Sequence, residues 1–180
     1  MRKLFPVLCI TLLAGSGSTV MAQMRFESSL SFSLGGYAAD GLGTNLFYGG
    51  KYDYFFLGGR YFVEASLGVS SLKSRVVENI SKSQLFPNDK LVTYEFLFAY
   101  DGVPAGAFPF IVAGVAGVNQ GGSTVFAGVL GLGKRITLPG SNQLGFRYDI
   151  RDMIYTQTIS NSDPFITHNF VFSIGLQIYF

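Results

Sequence analysis

The sequence predicts an all-β protein, an eight-stranded antiparallel up-and-down transmembrane β-barrel. Three observations predict it. First, Thr167–Phe180 alternates. Phe170, Phe172, Ile174, Leu176, Ile178 and Phe180 fall on one parity, and Asn169, Ser173, Gly175 and Gln177 on the other, with Val171 and Tyr179 among them. Strand side chains alternate sides, so this is a strand with one apolar face and one mostly polar or small face. Second, the N-terminus reads as an export signal. Third, the remainder is apolar and rich in Phe and Tyr, yet holds no good spanning helix; only helices and closed barrels satisfy every backbone group in lipid.

The export signal comprises Arg2 and Lys3, the uncharged apolar run Leu4–Ala14, small and polar residues, and Val20-Met21-Ala22 as a cleavage site. The apolar run is shorter than the roughly 20 residues a spanning helix needs. Residues 1–22 are therefore expected to be removed, leaving 23–180 as one barrel domain. Cys9 lies inside the apolar run behind Leu8, which does not fit a lipoprotein signal. It is the only cysteine, so the barrel has no disulfide framework. Without Arg2 and Lys3 the basic and acidic residues are equal in number. The basic balance thus belongs to the signal, and no Lys/Arg stripe supports a nucleic-acid partner. Hydrophobic residues make up 48% and charged residues only 13%, about half the charge of an ordinary soluble domain. A soluble sandwich would have to bury the charged face or expose the apolar one.

The strands follow in order. Arg25–Gly35 sets Phe26, Leu30, Phe32 and Leu34 against Arg25, Glu27 and three serines, and Gly36–Gly43 reads as a turn-rich connection. The second strand, about Thr44–Phe55, sets Tyr48, Tyr52 and Tyr54 against Lys51 and Asp53, and Leu57-Gly58-Gly59 turns it. The third, Arg60–Ser70, sets Tyr61, Val63, Ala65, Leu67 and Val69 against Arg60, Phe62 and Glu64. Ser71–Lys90 breaks the alternation with six charges, Pro87 and Asn88, and is the longest loop. The fourth strand, Leu91–Tyr100, sets Tyr94, Phe96, Phe98 and Tyr100 against Thr93 and Glu95; Asp101–Pro104 is a short turn. Strands five and six, about Ala107–Val118 and Thr124–Ile136, have ambiguous parity because both faces are small or apolar. Leu138–Asn142 turns into strand seven, Gln143–Tyr155, where Phe146, Tyr148 and Ile150 oppose Arg147, Asp149 and Arg151. Thr156–Ile166 is a polar loop before the closing strand. The first, third and seventh connections read as long, the others as short. An even strand count puts both termini beside the short periplasmic turns.

The candidate residues follow from parity. Arg25, Glu27, Lys51, Asp53, Arg60, Glu64, Glu95, Arg147, Asp149 and Arg151 face inward, five acidic and five basic. A barrel of eight strands has room only for its own side chains, so these charges are expected to pair as a plug; a narrow ion or small-solute channel is the alternative. Tyr48, Tyr52, Tyr54, Phe55, Phe56, Tyr61, Tyr100, Phe108 and Tyr179 lie near strand ends, where aromatic rings favour the membrane interface. Gly128–Lys134 matches most of a phosphate-binding loop, but Arg135 replaces the hydroxyl residue and the stretch reads as strand. His168 is the only histidine, so no transition-metal site is expected and no cofactor is implied.

The chain resembles the small eight-stranded outer-membrane β-barrel domain family. The carriers are the signal, the alternating strands, Arg147-Tyr148-Asp149-Ile150-Arg151-Asp152, His168-Asn169-Phe170 and the aromatic pair Tyr179-Phe180. The resemblance implies a monomer in the outer membrane, surrounded by its lipids and lipopolysaccharide. It further implies delivery by periplasmic chaperones to an assembly machinery that reads Tyr179 and Phe180. Outer-membrane lipid-modifying enzymes are a remoter alternative: the serine they place two residues after the histidine is Phe170 here, and no enzyme is expected. The expected role is structural or interactive, with loops facing outside. Lys73, Arg75, Lys82 and Lys90 of the long loop form the candidate contact with anionic lipopolysaccharide.

Overall fold

The computed structural model describes residues 26–39, 43–71, 90–102, 109–120, 123–157 and 165–180. They form β1 (Ser28–Ala39), β2 (Gly43–Phe56), β3 (Tyr61–Ser71), β4 (Lys90–Tyr100), β5 (Phe110–Gln120), β6 (Ser123–Thr137), β7 (Leu144–Gln157) and β8 (Phe165–Tyr179). Each strand pairs with the next, and β8 pairs antiparallel with β1 from Ser29↔Tyr179 to Ala38↔Phe170. The sheet therefore closes and keeps no free edge. Partners traced from Tyr179 run through Ser29, Asp53, Glu64, Leu97, Gly114, Val129 and Met153, and return to β8 at Asn169, ten residues away. That stagger obliges the strands to tilt, in barrels of this kind by roughly 35–45°.

Alternation then sorts the side chains. Phe32, Leu34, Leu67, Phe96, Phe98, Ile111, Val115, Phe126, Leu130, Phe172, Ile174 and Leu176 are exposed around the outer wall. At the end where β1 begins and β8 finishes, Phe56, Tyr61, Phe98 and Tyr100 form a contiguous outer aromatic patch, with ring centroids 5.2–6.0 Å apart. A belt of this breadth needs hydrocarbon around it, and aromatic girdles mark where hydrocarbon gives way to water. Two glycines make the seam possible. A Cβ on Gly35 would lie 1.8 Å from the carbonyl oxygen of Phe172, and one on Gly175 would lie 2.2 Å from that of Phe32.

Several expectations shift. β1 begins at Ser28 and continues through Gly36 to Ala39, so the first connection spans only 40–42 and is not long. Pairing of Gly36, Tyr37 and Ala38 with both β2 and β8 overrides the turn signal of the glycines. The fourth connection runs from 101 to 109, longer than its turn signal, and β5 starts at Phe110. Parity in β5 and β6 is resolved: Phe110, Val112, Ala116, Val118, Ala127 and Val129 are buried inside, with Ile111, Val115, Phe126 and Leu130 outside. Gly128–Lys134 is continuous strand.

Candidate functional site

The lumen is filled in three storeys. Opposite the termini, Tyr37, Phe47, Leu91, Val118, Met153, Tyr155 and Val171 are buried as an apolar layer. The middle storey is ionic. The storey nearest the termini is aromatic, built by Phe55, Phe62, Phe110 and Tyr179.

Strand β7 organises the middle storey because Arg147, Asp149 and Arg151 share one parity and stack along the lumen axis. The Arg147 guanidinium donates from Nη1 to both oxygens of Asp53 (3.0 and 2.8 Å), from Nη2 to Glu64 Oε2 (2.5 Å) and from Nε to Asp149 Oδ2 (3.0 Å). Arg151 donates from Nη1 to Glu95 Oε2 (2.5 Å) and from Nε to Asp149 Oδ1 (2.9 Å); its Nη2 lies 2.8 Å from Glu64 Oε1. Lys51 Nζ donates to both oxygens of Asp149 (2.8 and 2.7 Å) and to Ser173 Oγ (2.8 Å). Ser29 Oγ and Gln177 Nε2 add donors to Asp53 at 3.0 and 2.9 Å. All seven charged groups are buried. The network crosses the lumen from β7 to β2, β3 and β4, and its planar guanidinium forks each serve three carboxylates. Removing charge from water is costly, and dense pairing of this kind is what offsets it.

Seven of the ten inward candidates meet here: Lys51, Asp53, Glu64, Glu95, Arg147, Asp149 and Arg151. Two do not. Glu27 precedes β1 and Arg60 ends the β2–β3 turn, and both are exposed. Each keeps the inward parity but lies beyond the last paired residue of its strand, where its charge stays in water. Arg25 lies outside the described residues. Phe55 and Tyr179 also depart from expectation: they face the lumen and are not interface aromatics. Tyr179 hydrogen-bonds Gln177 Oε1 (3.0 Å) and stacks on Phe26, while Phe180 is exposed on the outer wall and exchanges backbone bonds with Ser28. Phe108 lies outside the described residues.

Sequence reasoning missed Arg135 and Asp101, which form a buried ion pair in the aromatic storey. The Arg135 guanidinium lies 4.6 Å from the ring centres of both Phe55 and Phe62, and 5.6 Å from Phe110. Its Nε and Nη1 have no hydrogen-bond partner among the described residues, and aromatic faces lie against the guanidinium instead. The adjacent pair Lys134-Arg135 was the available signal, since one of two successive strand residues must face inward.

On the outer wall, His168 Nδ1 lies 2.7 Å from Asp152 Oδ2. Lys90 is exposed at the start of β4; Lys73, Arg75 and Lys82 lie outside the described residues.

No protein-family model and no curated protein sequence matches the chain. Solved structures do. The N-terminal β-barrel domain of OprF from Pseudomonas aeruginosa is 14% identical with a TM-score of 0.55, covering 87% of this chain and 100% of that one. OprG from Pseudomonas aeruginosa is 10% identical with a TM-score of 0.55, covering 89% and 99%. The outer membrane protein AlkL, solved in lipid bilayers, is 14% identical with a TM-score of 0.54, covering 92% and 95%. At these identities the likeness is one of fold. It is the fold seen in eight-stranded outer-membrane barrels: the protein is a closed eight-stranded antiparallel β-barrel with an apolar outer wall.

Proposed function

We propose that this barrel is a sealed wall protein of the outer membrane, whose role is structural and interactive rather than conductive. One observation carries the reading. The seven lumen charges engage one another across the full width of the barrel and are all buried, with aromatic and apolar layers on either side. A conducting path would have to break several charge-assisted bonds at once. Short turns of small barrels face the periplasm and long loops the outside. The connection at 72–89 is the longest and carries Lys73, Arg75 and Lys82. With Lys90 at its edge it offers a basic contact for the phosphates of lipopolysaccharide.

The test is conductance in planar lipid bilayers together with surface labelling. The refolded barrel should give no discrete conductance steps. An epitope inserted near Ser83 should bind antibody on intact cells without loss of the folded form, since long surface loops tolerate insertion. Regular single-channel steps abolished by Glu95→Gln or Arg151→Gln would overturn the sealed reading, and labelling only after the outer membrane is opened would invert the topology.

A further inference from the structure

Among the described residues the lumen charges do not balance. Lys51, Arg147 and Arg151 face four carboxylates, Asp53, Glu64, Glu95 and Asp149, and all seven are buried. The Arg135–Asp101 pair is neutral within itself. Lys134 is also buried, but it shares the outward parity of Leu132 and Ile136 and pairs in register with Tyr148, which places it on the outer side of the wall. Among the described residues one carboxylate is left over.

The geometry locates the surplus. Asp149 receives Lys51 and both arginines. Glu64 receives both arginines. Asp53 receives Arg147 with Ser29 and Gln177 in support. Glu95 receives only Arg151, through Oε2, and that guanidinium is shared with two other carboxylates.

Beside Glu95 stand hydroxyls that bond to nothing among the described residues. Ser66 is directly opposite Glu95 in the β3–β4 register and opposite Lys51 on its other side; its Oγ is buried without a partner. Thr93 is the next inward residue of β4, wholly buried, and its Oγ1 is also without a partner. That oxygen is directed towards β3, since a Cβ on Gly68 would lie 2.7 Å from it. The charged and titratable groups facing Glu95 are Arg151 and Asp149 from β7, Glu64 from β3, Lys51 beyond Ser66 on β2, and Tyr37 from β1, which lies within electrostatic reach. Its β5 neighbour is Ala116, which supplies no charge.

An uncompensated charge in a dry interior is strongly disfavoured, and buried polar groups seldom go unbonded. We propose that the corner formed by Glu95, Ser66 and Thr93 binds one further monovalent positive charge, carried by a proton or by a sodium-sized cation. A proton makes Glu95 a carboxylic acid whose O–H donates to a neighbouring hydroxyl oxygen. A small hard cation is held by the carboxylate and the two hydroxyl oxygens, the ligand type such ions prefer. Either carrier brings the lumen to neutrality and gives the orphaned oxygens a partner. The site is independent of whether the lumen conducts.

The test uses the full barrel refolded in detergent, with two readouts on the unmutated protein. Infrared spectra at neutral pH are searched for the carbonyl stretch of a protonated carboxyl. Urea midpoints are compared in sodium chloride and choline chloride at equal ionic strength. The proton form gives a carboxyl band that Glu95→Gln removes. In that form the unmutated protein also loses stability relative to Glu95→Gln as pH rises above the ordinary carboxyl range, because the unfolded chain releases a proton that the folded state holds. The cation form gives a higher midpoint in sodium than in choline, a difference that Glu95→Gln abolishes. In both forms Glu95→Gln in choline at neutral pH is at least as stable as the unmutated barrel, while Glu64→Gln, between two arginines, is less stable. Absence of both the band and the sodium effect would overturn the proposal, as would a loss in Glu95→Gln equal to that in Glu64→Gln.

Discussion

Replacing Arg147 by methionine removes the most connected cation of the lumen and keeps much of its volume. Asp53 then loses the one cation that bonds it among the described residues and retains Ser29 and Gln177, whereas Glu64 keeps Arg151 and Asp149 keeps Lys51 and Arg151. The cost is therefore set chiefly by one stranded carboxylate, and breaking a buried pair in this way costs about 3–5 kcal/mol. Loss of the guanidinium face over Phe110, 4.8 Å from the ring centre, adds about 0.5–2 kcal/mol, part of which the methionine recovers by packing. Taking about 4 kcal/mol and a urea dependence of about 2 kcal/mol per molar, the unfolding midpoint should fall by about 2 M. The chain has no tryptophan, so the folded fraction is read from heat-modifiable gel mobility across a urea series. The double variant Arg147→Met/Asp53→Asn removes the stranded charge and should regain about 0.5–3 kcal/mol over the single variant. A fall of less than about 0.5 M, or no recovery in the double variant, would refute the assignment of Asp53 as the dependent partner. If the single variant fails to fold, recovery in the double variant still decides.

Other outcomes follow from the wall. Phe172→Arg places a cation on the outer face and should cost about 2–4 kcal/mol near the midplane; Ser173→Ala removes a lumen hydroxyl bonded to Lys51 and Asp149 and should cost nearer 1 kcal/mol. Refolding yields into vesicles compare the two, and equal tolerance would contradict the facing of β8. Gly35→Val should abolish the heat-modifiable form, because its Cβ meets the Phe172 carbonyl across the closing seam, whereas Gly50→Ala should be neutral or slightly stabilising, with only Ser31 O within 4 Å, at 3.9 Å. Tyr179→Ala removes the contacts to Phe26, Phe55 and Gln177 and should lower the urea midpoint, while Phe180→Ala, whose backbone still pairs with Ser28, should leave it nearly unchanged in detergent.

The outer-wall pair of His168 and Asp152 illustrates a limit of motif reasoning. The histidine stands alone in the sequence, and only the β7–β8 register brings the carboxylate against it. Phe170 stands two residues after His168, where outer-membrane lipid-modifying enzymes place a serine, and it faces outward with His168. Nothing in the spacing of the two residues announced the contact, because they lie on different strands sixteen positions apart.

Alternation is a local property of extended backbone, and so the sequence alone determined the number of strands and the side each residue takes wherever the two faces differ in chemistry. That is why Phe96, Phe172 and Ile174 were legible as wall, and Lys51, Asp53, Glu64, Glu95, Arg147, Asp149 and Arg151 as lumen. Where both faces are small or apolar, as in β5 and β6, period two carries no sign; the inward Arg135 was lost there. Strand ends were equally out of reach. Glu27 and Arg60 obey the parity but stand past the final pairing, and Gly36–Ala38 is strand because two neighbours pair with it. Height in the lumen was decided only by closure. The ten-residue stagger between β8 and its return sets which inward residues share a level, and therefore that Arg151 reaches Glu64 and Glu95 while Arg135 stands among rings beside Asp101. A stagger is a property of the whole ring of strands and of no single strand, so the partners of the lumen charges exist only in the closed barrel.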